Sequence, residues 1–257
     1  MQIFREPQIY VLGRQTVDQA ELDRFLADYH FSAWTTDASA GAEAMSEIGG
    51  RVCYMSFAAG RKSNHDYLAH ILEVGHGSVL EHAVWNFLVV GVSRSLTHEL
   101  IRHRVGMSPS QLSQRFHVES DCDFVEPEII AEDPELHALF LEAIEHDRRV
   151  YAELLDKLSA KLTHIPEKTA RRKMACQAAR SILPNATETK IFLTFNARAL
   201  RHFIELRGSK DADAEIRRLA VAFTRVMQRE APSIFADYVI ESVPHAGECV
   251  STAHPHV

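Results

Sequence analysis

Three things are scarce in this chain: cysteine, long apolar runs and surplus positive charge. Its four cysteines, Cys53, Cys122, Cys176 and Cys249, share no C-x-x-C spacing, and a chain of this size needs no disulfide staples. A reducing cytoplasm fits. No stretch approaches the roughly twenty apolar residues of a membrane span. Arg5 and Glu6 place charge inside what would be a signal peptide's apolar region, so the expectation is a soluble protein that is not exported and has no membrane partner. The formal net charge of -7 argues against a general nucleic-acid binder, because affinity for the phosphate backbone needs clustered Lys and Arg. A single-stranded RNA module is disfavoured as well by the absence of an aromatic stacking row. Any anion site has to be a local one.

What is present suits one large globular domain spanning 1–257: 257 residues, 46% apolar and 25% charged. The opening IFREPQIYVLGRQTV has strand character, and Val17 to Tyr29 carries apolar residues at helical spacing. Further helices are expected at Ala42 to Met55, interrupted at Gly49-Gly50, and at Asn64 to Val74. A turn is expected at Gly75-His76-Gly77. Ala83 to Val92 reads as the best buried strand, with Trp85 and Phe87 in the core. Ser93 caps a helix running to Arg104, and Gly106 and Pro109 then predict a loop. Beyond it come helices at Pro134 to Leu162, Glu167 to Ile182 and Ala212 to Tyr238, with a short strand at Glu188 to Phe195. The pattern is α+β: a small antiparallel sheet with surrounding helices. Met174 and Cys176 are expected to be buried, and Arg171, Arg172 and Lys173 to form a solvated face.

The chemistry concentrates in Arg102-His103-Arg104-Val105-Gly106-Met107-Ser108-Pro109-Ser110-Gln111-Leu112-Ser113-Gln114-Arg115-Phe116. Guanidinium forks, hydroxyls and loop N–H groups at this density suit a phosphate, which planar forks meet bidentately. The plainer alternative makes Arg102 and Arg104 a solvated helix end complementing the dipole. Fifteen histidines invite a metal, yet His98-Glu99 lacks the second histidine of a zinc helix: position i+4 is Arg102, whose charge repels a cation. His76 and His82 are also badly spaced, so no metal ligand is expected. His245, His254 and His256 read as tail residues. Glu81 is expected either in a binding role or in a buried salt bridge to Arg104.

The cluster resembles the signature of the flavin-dependent thymidylate synthases, an Arg-His-Arg triplet, a spacer and a Ser-x-Arg-aromatic ending: here Arg102-His103-Arg104 and Ser113-Gln114-Arg115-Phe116. Upstream, His76-Gly77-Ser78-Val79-Leu80-Glu81-His82 is similar to that family's His-x-Ser/Thr-x-x-Glu-His stretch. Downstream, Arg180 to Pro184 and Asn196 to Arg207 agree in the same order. The resemblance implies an enzyme that reductively methylates uracil C5 of a uridine monophosphate. FAD is the implied cofactor, NADPH the reductant and methylenetetrahydrofolate the carbon donor. It also implies a homotetramer. Ser78, Glu81, Arg102, His103, Arg104, Asn196, Arg198 and His202 resemble flavin-binding positions, most of them from different subunits. Glu99, Gln111, Leu112, Ser113, Gln114, Arg115, Arg180 and Arg207 resemble nucleotide-binding ones. His76, Arg207 and Ser113 are the candidates nearest the chemistry. The implied scheme needs no protein nucleophile, and no cysteine has the Pro-Cys-His setting of the flavin-free enzymes. Ser113, with no adjacent general base, reads as a ligand.

Two departures stand out. The family signature has seven residues between triplet and serine, whereas eight lie between Arg104 and Ser113, and the closing aromatic is Phe116 rather than tyrosine. A longer substrate loop is one way to house a 2′-hydroxyl, which costs about 1–3 kcal/mol if buried without a partner. The expectation therefore leans to UMP as substrate, with dUMP the alternative. A non-catalytic flavin- or nucleotide-binding protein is the alternative of another class.

Overall fold

A computed structural model describes residues 1–58 and 63–257. In chain order the elements are β1 (Ile3–Phe4), β2 (Gln8–Arg14), α1 (Gln19–Asp28), α2 (Gly41–Val52), α3 (Asn64–Glu73), a 3₁₀ segment (Gly77–His82), β3 (Val84–Ser93), α4 (Arg94–Leu100) and β4 (Met107–Gln111). They continue with β5 (Phe124–Val125), α5 (Glu128–Ala131), α6 (Pro134–Lys161), a 3₁₀ turn (Leu162–His164), α7 (Lys168–Ala179) and a 3₁₀ turn (Arg180–Ile182). The last are β6 (Glu188–Asn196), α8 (Ala197–Arg207), α9 (Ala214–Glu230), α10 (Pro232–Phe235), β7 (Tyr238–Val243) and β8 (Gly247–Thr252). The class is α+β. Its strands form a four-stranded sheet in the order β2-β3-β6-β4, a parallel pair β1-β5 and an antiparallel hairpin β7-β8. No helix among the described residues is long and apolar enough to cross a membrane.

The residues group into two compact units, each assembled from three separated stretches. The first comprises Met1–Gln8, Val89–Ile101 and Ser110–Ile191. Cys122, Phe124 and Ile144 form a core there, closed by Ile3, Phe140, Leu141, Leu183 and Ala186. Long α6 starts cleanly because the Asp133 side chain accepts from Glu135 and Leu136 N–H and Pro134 occupies the first turn. The fully buried Glu126 carboxylate meets Arg5 at 2.9 Å and His137 Nδ1 at 2.5 Å.

The second unit comprises Ile9–Leu88, Arg102–Pro109 and Phe192–Val257. Phe87, Phe195, Phe203 and Phe223 pack mainly edge to face with centroids 5.1–6.1 Å apart, a geometry that complements ring quadrupoles. Leu22, Leu26 and Phe57 form a second cluster with Trp34 and Ile48. Arg51 is buried between the Trp34 and Tyr67 rings and paired with Glu47 at 2.7 Å.

Several boundaries differ from the sequence expectation for identifiable reasons. Gly49 and Gly50 do not interrupt α2, because they serve packing: a Cβ at Gly49 would lie 2.7 Å from the His82 ring, and one at Gly50 2.1 Å from the Tyr67 hydroxyl. The helix after Ser93 stops at Leu100 with Ile101 as its C-cap, so it is shorter than expected and Arg102-His103-Arg104 directly follows its end. Met107–Gln111 is a strand, not a loop. Pro109 is tolerated because β4 is an edge strand, where a missing N–H costs no ladder bond. The helix expected at Ala212 to Tyr238 ends at Glu230, is followed by short α10 from Pro232, and leaves Tyr238 to open β7. Cys176 is buried as expected, but Met174 is 49% exposed. The C-terminal residues are tied down rather than loose: Arg201 donates to the Val257 and His254 carbonyls, and His256 N–H donates to Glu205.

Candidate active site

Within the second unit, the flavin-type motif residues come together through short local devices. Gly75 adopts φ +71° and turns the chain out of α3. His76 then precedes the 3₁₀ segment that carries Ser78 and Glu81. Gly77 is tightly packed, since a Cβ there would lie 3.2 Å from Arg198 Nε and 3.1 Å from the Val257 backbone. Glu81 pairs with Arg198 at 2.6 Å, and both are exposed. That replaces the buried Glu81–Arg104 bridge considered above. Asn196 caps α8 by accepting from Ala199 N–H at 2.8 Å, while its own N–H donates to the Gly106 carbonyl at 2.9 Å. Gly106, at φ +70°, packs so closely on Asn196 and Ala199 that a Cβ would approach them within 2.6–2.8 Å, so the turn after the Arg-His-Arg triplet is moulded onto the start of α8.

From α8, Arg207 Nε donates to His103 Nε2 at 3.2 Å. Accepting at Nε2 requires a neutral ring with its proton on Nδ1. The His103 ring lies edge-on to Phe203 at 5.3 Å and tilted against His202 at 5.9 Å. Burial, then the Arg207 charge, then His202 push His103 down to about 4. Relative to an unfolded value of about 6.5, the folded protein binds fewer protons between those two pH values. Stability from this group is therefore present above about pH 6.5 and lost as the pH falls toward 4. Urea unfolding at pH 4.5 and 6.5 is expected to show a larger fall for wild type than for His103→Gln; parallel pH curves would refute the linkage.

In the first unit lie the nucleotide-type residues, all except Arg207. Glu99 sits in the last turn of α4. Gln111 ends β4, and its amide donates to Thr97 Oγ1 at 3.0 Å. Leu112 N–H donates to the Lys190 carbonyl at 2.9 Å, and Arg94 Nη2 donates to the Leu112 carbonyl at 2.7 Å. Ser113 opens a tight turn: its carbonyl accepts from Phe116 and His117 N–H, and its hydroxyl lies 3.4 Å from Arg115 N–H. Among the described residues no imidazole or carboxylate is hydrogen-bonded to the Ser113 hydroxyl. Gln114 and Arg115 are half-buried, and Arg115 Nε is buried with no partner among the described residues. Phe116, 58% exposed, takes cations on its ring, Arg115 at 6.0 Å and Lys173 at 5.1 Å, so Lys173 is not merely solvated. Arg180 opens the 3₁₀ turn after α7 and is exposed. Sequence reasoning missed Arg94 and Thr97, because neither belongs to a motif; only the fold brings their helix against the Gln111-Leu112 segment.

The α+β frame thus carries exposed guanidiniums at Arg102, Arg104, Arg180 and Arg198, and a buried Arg115 Nε with no partner among the described residues. Residues 36–233 match the family described as Thymidylate synthase complementing protein. The chain is 51% identical over 218 residues to the flavin-dependent thymidylate synthase of Mycobacteroides abscessus, covering 84% of this chain and 86% of that one. It is 48% identical over 237 residues to that of Mycolicibacterium gilvum, covering 89% and 94%. The crystal structure of a UMP/dUMP methylase, PolB from Streptomyces cacaoi, bound with 5-Br dUMP, matches with a TM-score of 0.67 at 17% identity, covering 92% of this chain and 96% of that one. At that identity the likeness bears on the fold alone. The chain belongs to the flavin-dependent thymidylate synthase family, a family of uridylate C5 methyltransferases.

Proposed function

We propose that the protein converts dUMP to dTMP as a cytoplasmic homotetramer, with FAD as cofactor, NADPH as reductant and methylenetetrahydrofolate as carbon donor. The observation that carries this reading is the roughly half identity to flavin-dependent thymidylate synthases across most of the chain. Exposed Arg102, Arg104, Arg198 and Ser78 suit the pyrophosphate and hydroxyls of FAD, with His103, Asn196, His202 and Glu81 framing the same group. When bound, the flavin supplies the hydride that makes the transferred carbon a methyl group. The remaining work falls to side chains. Arg115, Arg180 and Ser113 hold the nucleotide phosphate, with Gln111, Leu112 and Gln114 shaping its seat and Glu99 at its margin. Arg207 offers positive charge to a uracil carbonyl, stabilising the negative charge that develops on the ring. His76 borders the flavin and folate.

UMP is the second reading, favoured by the eight-residue spacer. Against it, most of that spacer is drawn into edge strand β4, and its last two residues are pinned by Thr97, Lys190 and Arg94. Ser113 therefore starts from a fixed point whatever the spacer's length. The test is a mass-spectrometric product assay without oxygen, supplying FAD, NADPH and methylenetetrahydrofolate with dUMP and UMP in competition. A dTMP excess of about tenfold or more, equivalent to roughly 1.4 kcal/mol, is expected. Predominant 5-methyl-UMP would reverse the assignment, and no methylated nucleotide would leave a binding protein without turnover.

A further inference from the structure

The first turn of α4 lies against the residues that lead into the nucleotide segment, and it grips them at two points. Arg94 Nη2 donates to the Leu112 carbonyl at 2.7 Å, and Thr97 Oγ1 receives the Gln111 amide at 3.0 Å while donating to the Arg94 carbonyl at 3.0 Å. On the far side Leu112 N–H is held by Lys190. The helix is itself fixed: Ser93 caps it, Arg94 N–H donates to the Thr187 carbonyl, and Ser95 N–H donates to that of Asn185. We propose that Arg94 and Thr97 are positioning residues for nucleotide binding, clamping Gln111 and Leu112 so that Ser113, Gln114 and Arg115 are presented at a set place and angle. This rests on the reading of Ser113 to Arg115 as the nucleotide segment.

Three further observations fit a clamp built for a ligand and not for stability alone. Arg94 is half-buried, yet it forms no ion pair within the described residues, and its Nε is buried without a partner. Glu119, six residues beyond Ser113 and 3% exposed, likewise has one carboxylate oxygen without a partner. Burial lowers Arg94 from its ordinary value, Glu119 acts against that, and the neighbouring Arg180 charge lowers it further. Burial and a second positive charge thus both act against the Arg94 cation, and an anionic ligand would act with Glu119 and Glu188 in its favour. The planar Arg94 guanidinium, bonded to the Leu112 carbonyl through Nη2, is also stiffer than a lysine, so the segment after Leu112 is pre-ordered and binding loses less entropy.

The experiment is titration of dUMP into the FAD-loaded protein, with FAD affinity and thermal midpoint measured in parallel. Arg94→Met is expected to weaken dUMP binding by about tenfold or more, the range for losing a charge-assisted hydrogen bond, and to raise the nucleotide KM more than it lowers kcat. FAD affinity stays within about twofold on the same scale, and Arg94→Lys, which restores one charged donor, recovers most of the loss. Thr97→Val, nearly isosteric, is expected to weaken dUMP by roughly three- to tenfold, and it decides the matter if Arg94→Met does not fold. Unchanged dUMP affinity in both variants, or equal losses of dUMP and FAD binding, overturns the clamp. Wild-type protein that binds neither dUMP nor UMP overturns the functional proposal with it, whereas wild type that binds beside variants that bind equally well overturns the clamp alone.

Discussion

Arg207→Ala is expected to lower kcat about 10²–10³-fold, the usual cost of deleting one fixed donor from a developing oxyanion, with flavin content unchanged. Arg207 closes α8, and its guanidinium is aimed by the bond from Nε to His103 Nε2. Because that bond needs an unprotonated ring, the depression of His103 to about 4 keeps the acceptor available at neutral pH. His103→Gln retains an acceptor oxygen and is expected to lose far less than Arg207→Ala, while His103→Leu falls between them. Steady-state dTMP formation per bound flavin measures all three. A kcat for Arg207→Ala within about threefold of wild type, less than 1 kcal/mol in barrier, would remove this residue from the chemistry.

Stability should depend most on Arg201. The side chain is 1% exposed, forms a two-point pair with Asp237 at 2.7 and 2.8 Å, donates to the Ile234 carbonyl at 2.6 Å, and lies 4.7 Å from the Tyr238 ring. Thr252 also donates to Asp237, so one cation ties α8 to α10 and to both strands of the C-terminal hairpin. Burial raises the Asp237 carboxyl, but the hydrogen bonds and charge of Arg201 more than offset this and hold it below its ordinary value. Arg201→Met strands that carboxylate, an uncompensated buried charge worth about 3–5 kcal/mol. At roughly 2–4 °C per kcal/mol for a chain of this size, the thermal midpoint should fall by roughly 6–20 °C. Arg201→Met with Asp237→Leu removes both charges and is expected to recover part of the loss. A midpoint within about 2 °C of wild type, under 1 kcal/mol on that scale, would show the pair to be dispensable.

Neither Arg201 nor Arg94 announces itself along the chain. Arg201 lies in the Asn196 to Arg207 block, where its number says nothing of the carbonyls it reaches 33 to 56 residues later. Arg94 follows a helix cap, and its significance depends on Leu112 being brought to it. The same limit explains the boundary errors: Gly49-Gly50 reads as a break by local propensity, and only the His82 and Tyr67 side chains seated on those glycines turn it into a packing surface. Pro109 reads as a loop residue until its strand is found at the sheet edge.

Local and periodic information sufficed for much of the rest. Helical spacing located α1, α3, α6 and α7 to within a few residues and the Ser93 cap located the start of α4, because a cap bond involves neighbours in sequence, whereas α8, capped by Asn196, was read only as a motif. Alternation and apolar content located β3 and β6, and four ordered motifs identified the family. Those signals are written within a few residues of where they act. Tertiary structure alone decided that Glu81 pairs with Arg198 and not Arg104, that His103 accepts from Arg207, and that α4 grips the approach to Ser113. Each of these joins side chains from separate stretches, and their meeting depends on how the intervening chain packs, a quantity that no local pattern of residue types encodes.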